Sequence, residues 1–134
     1  MAGYSGTPLP TKLGVKAGAR VLLVDAPNGF ALEPLPDGAE VDHQAGHAGY
    51  DVIVSFCRDR QTLERRFAPL TARLLPHGGL WIAWPKRSSG VSTDLDENRV
   101  REVGLAVGLV DNKVCAVDDV WSGLRFVIRL RDRP

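Results

Sequence analysis

The sequence predicts an α/β fold: a mostly parallel sheet with helices on both faces and a C-terminal antiparallel β-hairpin. Three short apolar runs support this prediction, at residues 19–25, 51–57 and 80–84. Continuous runs of this length are typical of strands that are buried on both faces. Segments with helical spacing of apolar residues separate the second and third runs and follow the third, and such alternation builds parallel sheets.

The first half of the chain is rich in turn residues and predicts short elements. Residues 1–18 are predicted to form an N-terminal segment of helix and turn, with the helix within residues 7–16. After the first strand, residues 30–33 are predicted to form one helical turn, and residues 39–43 a short strand.

The second half predicts two helices and the hairpin. Apolar residues at helical spacing predict a helix over residues 60–75. Thr93 and Asp96 have the spacing of a capping box, which predicts that the next helix begins just after Thr93. Residues 109–120 and 124–131 are predicted to pair as the hairpin.

Length and composition fit a single domain over all 134 residues. The net charge of +1 gives no strong field toward nucleic acid or anionic membranes. The chain has no secretory signal and no run near the ~18 apolar residues of a membrane span, so we expect a cytoplasmic protein without membrane attachment. Cys57 and Cys115 lie far apart in strand-like runs, and we expect both to be buried free thiols.

Three segments resemble class I methyltransferases that use S-adenosylmethionine. Residues 13–22 are similar to the approach to their first strand, and the terminal hairpin to their final strand pair. The turn Pro76-His77-Gly78-Gly79, followed by an apolar strand, is similar to their Leu-Lys-Pro-Gly-Gly turn and fifth strand. The resemblance implies a small Rossmann-like sheet, truncated by one helix and one strand.

The resemblance fails at the cofactor loop. These enzymes have a Gly-x-Gly-x-Gly loop after the first strand, and here the residues are Asp25-Ala26-Pro27-Asn28-Gly29-Phe30. Pro27 stiffens this turn and lacks an N–H group. Asp42 lies where the ribose-binding acid of the family is expected. We therefore do not expect S-adenosylmethionine to bind, and the sequence indicates no other cofactor.

A second resemblance covers nearly the whole chain. Residues 3–9, 80–86, 108–115 and 121–126 are similar to the bacterial family known as domain of unknown function 3052. This resemblance implies a bacterial protein, and it implies no activity, ligand or catalytic residue.

Ligands of open α/β sheets bind beyond the carboxyl ends of the strands, where residues 26–30, 57–60 and 85–92 are expected to meet. The candidate anion site there consists of cations and hydroxyls, namely Arg58, Lys86, Arg87, Ser88 and Ser89. The start of the following helix would add N–H groups for a phosphate or carboxylate. The alternative is a solvated basic loop whose cations pair with the acids that follow, Asp94, Asp96 and Glu97.

Other residues give weaker candidates. A possible binding face near the hairpin turn comprises Asp119, Trp121, Ser122 and Arg125, although a tryptophan there more often closes a core. Cys57 would be nucleophilic only if Arg58 or a helix N-terminus lowered its pKa.

Histidines and arginines suggest two further sites. His43 and His47 fit a polar loop better than a zinc site, so no metal is predicted. The odd spacing of Arg125, Arg129, Arg131 and Arg133 would place a basic stripe on one face of the last strand, as a phosphate contact surface. The neutral net charge opposes nucleic-acid binding.

Two functional hypotheses follow. The leading one is a non-catalytic binding or regulatory module on a degenerate methyltransferase-like fold, with a protein partner or with self-association along the terminal hairpin. The alternative is a small enzyme or sensor for an anionic metabolite at the carboxyl ends of the strands.

Overall fold

Six strands form one mixed sheet in the computed structural model, which describes residues 6–46 and 49–134. The strands are β1 (Arg20–Val24), β2 (Glu40–Asp42), β3 (Tyr50–Phe56), β4 (Leu74–Pro85), β5 (Leu109–Ala116) and β6 (Trp121–Ile128). Their order across the sheet is β2-β1-β3-β4-β6-β5. The first four strands in this order are parallel, and β6 runs antiparallel to both of its neighbours.

Both faces of the sheet are covered, but unequally. The helices α2 (Arg60–Thr71) and α3 (Glu97–Ala106) contact each other and pack on one face. The other face is covered by the segment that contains α1 (Leu9–Lys12) and by the loop between β1 and β2. The α/β fold class, the parallel sheet and the antiparallel hairpin are confirmed.

The helical face buries an aromatic pair at its centre. Phe67 of α2 and Phe126 of β6 are fully buried and meet edge to face, with their ring centroids 5.1 Å apart. Gly104 of α3 lies against the Phe126 ring, and a Cβ atom at this position would overlap that ring. A glycine in the middle of α3 thus lets the helix approach the sheet closely.

The opposite face is centred on Trp81, which is fully buried. Its indole Nε1 donates a hydrogen bond of 3.0 Å to the carbonyl of Leu13, which fastens the N-terminal segment to the sheet. Trp84 packs on the helical face instead. Trp81 and Trp84 thus face opposite sides of the sheet, as the period of two in a strand requires for residues three positions apart.

Two predicted helix boundaries are wrong. The helix expected over residues 60–75 ends at Thr71, because the Arg73 carbonyl accepts from the Tyr50 amide and the chain has already joined the sheet. The second helix begins at the cap residue Asp96, whose carboxylate accepts from the Arg99 amide at 2.8 Å. Thr93 instead donates to the Arg58 carbonyl and accepts from the Leu95 amide.

Two other expectations are also corrected. Residues 30–33 form no helical turn, because this loop lies extended and buries Leu32. The arginine stripe does not form, because β6 ends at Ile128 and residues 130–132 form a short 3₁₀ helix.

None of the helices in the described ranges has the length and apolar character of a bilayer-crossing helix.

Candidate functional site

The carboxyl ends of β1 and β3 flank the topological switch point of the sheet. The chain leaves β1 outward to β2 and then returns to β3 on the other side of β1. In open α/β sheets the crevice between such strands is where ligands bind. Asp25 follows β1, and Cys57 and Arg58 follow β3, so these residues lie at the crevice.

An ion pair joins the two sides of this crevice. Asp25 has a φ of +56°, a left-handed conformation that is uncommon for a residue other than glycine. Its carboxylate pairs with the guanidinium of Arg66, which comes from α2. Among the described residues, the Nη1 atom of Arg66 has no hydrogen-bond partner and is buried. The chain thus places its own charged side chains across the crevice.

Aromatic side chains cover the end of β3. Phe30, from the loop after β1, meets Phe56 edge to face with ring centroids 5.0 Å apart. Phe56 in turn meets Trp121 at 5.1 Å. The β1–β2 loop therefore packs onto the sheet with an apolar contact through Phe30.

The acid at the end of β2, Asp42, is also hydrogen bonded within the chain. The buried Tyr50 hydroxyl donates to the Asp42 carboxylate at 2.6 Å and accepts from the Gly46 amide at 3.1 Å. Asp42 is the residue expected at the ribose-binding position. Its carboxylate is bonded to a core tyrosine in this structure.

The two cysteines are free thiols, as expected, with Cys57 buried and Cys115 half-buried. Burial raises the pKa of the Cys57 thiol, and the Ser55 hydroxyl and the Arg66 charge oppose this only in part. The hypothesis of a nucleophilic Cys57 required a lowered pKa and is therefore wrong. Burial also raises the pKa of Cys115.

The predicted anion-site residues lie on neighbouring loops. The Arg58 guanidinium lies 5.4 Å from the ring centroid of Trp121. Ser89 is used locally, since its hydroxyl donates to the Lys86 carbonyl and accepts from the Val91 amide. Arg87 and Ser88 are exposed in a 3₁₀ turn, and Arg87 borders a cleft of about 330 Å³ beside the start of α3.

The acids near this loop pair with other cations. Asp96 pairs with Arg99 and Glu97 pairs with Arg101, while Asp94 accepts from the Arg60 amide. Neither Arg58, Lys86 nor Arg87 forms an ion pair with any residue that the structure describes. The capped start of α3, however, already holds the Asp96 carboxylate where the anion was expected.

The second candidate face is not brought together. Trp121 is buried and pairs with Pro85 at the carboxyl end of β4, with Asp119 and Ser122 close by in the chain. Arg125 pairs with Trp81 farther along the sheet, and its guanidinium lies against Gly79. A binding role for this candidate face stays a prediction.

The two histidines that the structure describes, His43 and His77, show no metal-binding arrangement. His77 Nε2 lies 3.2 Å from Asp51 Oδ1, and His43 is exposed. His47 lies outside the described residues. No group of three or more potential metal ligands occurs within residues 6–46 and 49–134.

Sequence reasoning missed a second cleft, at the amino ends of the strands. It has a volume of about 490 Å³ and lies between the α1–β1 segment and the terminal hairpin. Its cations are Lys12, Lys16, Lys113 and Arg125. These residues are up to 113 positions apart, so no local signal in the sequence joins them. We call this feature the amino-end cleft.

Solved structures of methyltransferases share this fold. A complex of DhpI with SAH has a TM-score of 0.64 at 12% identity, over 92% of this chain and 83% of that one. A SAM-dependent methyltransferase from Aquifex aeolicus has a TM-score of 0.59 at 16% identity, over 90% and 88% of the two chains. A TehB-like SAM-dependent methyltransferase from Corynebacterium glutamicum ATCC 13032 has a TM-score of 0.55 at 15% identity, over 84% and 82%.

These likenesses show that the chain has a Rossmann-like, class I methyltransferase fold. No family model and no curated protein matches the sequence. The resemblance to the domain of unknown function 3052 therefore stays a prediction.

Proposed function

We propose that this chain is a non-catalytic binding or regulatory module built on a methyltransferase-like fold. One observation carries the proposal: the chain's own side chains contact one another at the crevice of the switch point. Asp25 and Arg66 bridge the crevice, and Phe30 packs on Phe56. The Tyr50 hydroxyl donates a hydrogen bond to the Asp42 carboxylate.

Each of these contacts opposes a nucleoside cofactor. A ribose at the Asp42 carboxylate would have to share it with the Tyr50 hydroxyl, and displacing that hydroxyl would lose a hydrogen bond worth about 0.5–1.5 kcal/mol. Moving Phe30 away from Phe56 would lose a further ~0.5–1.5 kcal/mol of aromatic contact. DhpI, which shares the fold, has a solved structure in complex with SAH.

Calorimetric titration with S-adenosylmethionine and with its demethylated product tests the proposal. We expect no saturable heat and no rise in the thermal midpoint, with an active methyltransferase as the positive control. A bound ligand at about 100 times its dissociation constant would add ~2.7 kcal/mol and raise the midpoint by several degrees. Saturable binding together with methyl transfer to any acceptor would reject the proposal.

Self-association along the hairpin is the part of this proposal that concerns partners. β5 is an edge strand, and its Val114 side chain is 51% exposed. A register irregularity between Asp111 and Lys113 interrupts the ladder between β5 and β6. We expect a dimer in sedimentation at micromolar concentration that Val114→Lys dissociates. A wild-type monomer at all concentrations would reject this part.

A sensor or small enzyme for an anionic metabolite is the second candidate. It is favoured by the cleft beside Arg87 and by the three cations that lack an ion pair within the described part of the chain. Replacing Lys86 and Arg87 together by alanine should abolish binding of a phosphorylated ligand. Because exposed charges contribute little to folding, unfolding should change by less than about 1 kcal/mol. Unchanged binding in this variant would reject the candidate.

A further inference from the structure

The amino-end cleft lies at the opposite end of the sheet from the crevice. The α1–β1 segment forms one wall, with Lys12 and Lys16, and the hairpin forms the other, with Lys113 and Arg125. The one carboxylate in the lining, Asp51, accepts from the Arg20 amide and lies beside His77. The described lining therefore carries four cations against one carboxylate that is already hydrogen bonded.

Arg125 is the one arginine among the four cations that line this cleft. Its guanidinium is half-buried against the backbone of Gly79, where any side chain would displace it. Its only recorded hydrogen bond within the described residues goes from Nη1 to Asn112 Oδ1, at 3.3 Å. Burial, together with the nearby charge of Arg133, lowers the pKa of Arg125. A half-buried cation without an ionic partner is costly for the free protein, and a bound anion would offset that cost.

Two of the three lysines on the walls, Lys12 and Lys113, are held in place by the fold. The Lys12 ammonium donates to the Ala116 carbonyl at 2.9 Å, and the Lys113 ammonium donates to the Lys12 carbonyl at 2.9 Å. These bonds tie α1 to β5, and the Trp81 indole fixes Leu13 between them. An ammonium group has three donors, so Lys113 keeps donors for a ligand. The positive charges are therefore positioned before any ligand arrives, which reduces the entropic cost of binding.

We propose that the amino-end cleft binds a small organic polyanion, which carries two or more phosphate or carboxylate groups and pairs with Arg125. The guanidinium fork suits such oxygens because it binds them with two parallel hydrogen bonds. The volume of about 490 Å³ lies within the usual range of metabolite sites. The proposal is independent of whether the crevice at the switch point binds a cofactor.

A small ligand fits better than a nucleic-acid backbone. The cations converge on one concave cleft, and the chain as a whole has a net charge of only +1. Nucleic-acid binding surfaces instead spread many cations over an extended face.

Calorimetric titration at low salt tests the proposal, with inorganic pyrophosphate and citrate as the phosphate and carboxylate probes. We expect the wild type to bind at least one of them saturably, and the probe that binds identifies the chemistry. Arg125→Gln should weaken binding by at least about tenfold, as expected for the loss of a charge-assisted pair. Arg65→Gln is the matched control, since it removes the same charge from an exposed position on α2 and should leave binding unchanged.

Asn112→Asp provides a test with the opposite effect on stability. It places a carboxylate beside Arg125 and supplies the missing partner from within the chain. We expect this variant to lose binding by at least about tenfold while the thermal midpoint of the free protein rises. The proposal is overturned if neither probe binds the wild type, if Arg65→Gln weakens binding as much as Arg125→Gln, or if only a single-stranded oligonucleotide binds.

Discussion

Gly104 allows close packing on the helical face because glycine has no Cβ atom. Its position in α3 places the backbone directly on the Phe126 ring. Alanine is the better helix former by about 1 kcal/mol, yet its Cβ would overlap a ring that Phe67 holds from the other side. Packing therefore outweighs helix propensity here.

We accordingly expect Gly104→Ala to destabilise the protein by about 1–3 kcal/mol in urea unfolding, because overpacking forces side chains out of their rotamers. The exchange Ala106→Gly, at an exposed site of the same helix, measures propensity alone and should cost about 1 kcal/mol or less. A Gly104→Ala variant more stable than the wild type would contradict this view of the core.

We expect the protein to lose stability at alkaline pH, because the Cys57 thiol is buried. Burial raises its pKa in the folded protein above the ordinary value of a thiol, so the folded state holds this proton more firmly than the unfolded state. The resulting stability is fully present below the unfolded pKa and is lost as the pH rises through the folded pKa. Urea unfolding between pH 7 and pH 10 should show a smaller decline for Cys57→Ala than for the wild type. Equal declines would argue against a buried protonated thiol.

At the scale of elements, two nearby residues have the sequence signal of a cap for α3, and only one of them caps the helix. Thr93 and Asp96 both accept a hydrogen bond from a backbone amide, but only Asp96 begins the helix. Asp96→Ala should therefore destabilise the protein by about 1 kcal/mol, whereas Asp96→Asn keeps an acceptor and should cost less. Thermal unfolding of the two variants checks this, and equal losses would show that the charge matters more than the cap.

The strands were predicted better than the helix ends. The apolar runs at residues 19–25, 51–57 and 80–84 mark β1, β3 and the buried part of β4, because burial on both faces leaves a continuous signal. The end of α2 could not be predicted in this way. It depends on the pairing of Tyr50 with Leu74, which is a contact between distant parts of the chain.

At the scale of the molecule, the two clefts differ in how far the sequence could indicate them. The crevice at the carboxyl ends follows from chain order, because the loops after parallel strands meet at one edge of the sheet. That rule placed Arg58 and Arg87 at this edge. The amino-end cleft depends on α1 lying beside β5, a contact that joins Lys12 to Ala116 across 104 residues. Only the folded structure brings those cations together.

The position of β6 has a consequence for the synthesis of this protein. The strand lies between β4 and β5, although it follows both of them in the chain. A ribosome therefore releases β4 and β5 before the strand that joins them. Until residues 121–128 emerge, the inner edge of β4 has no partner in the sheet, and Trp81 and Phe67 lack part of their cover. While residues 86–128 are being synthesised, the nascent chain thus carries an unpaired, strongly apolar strand edge, which is a site for aggregation.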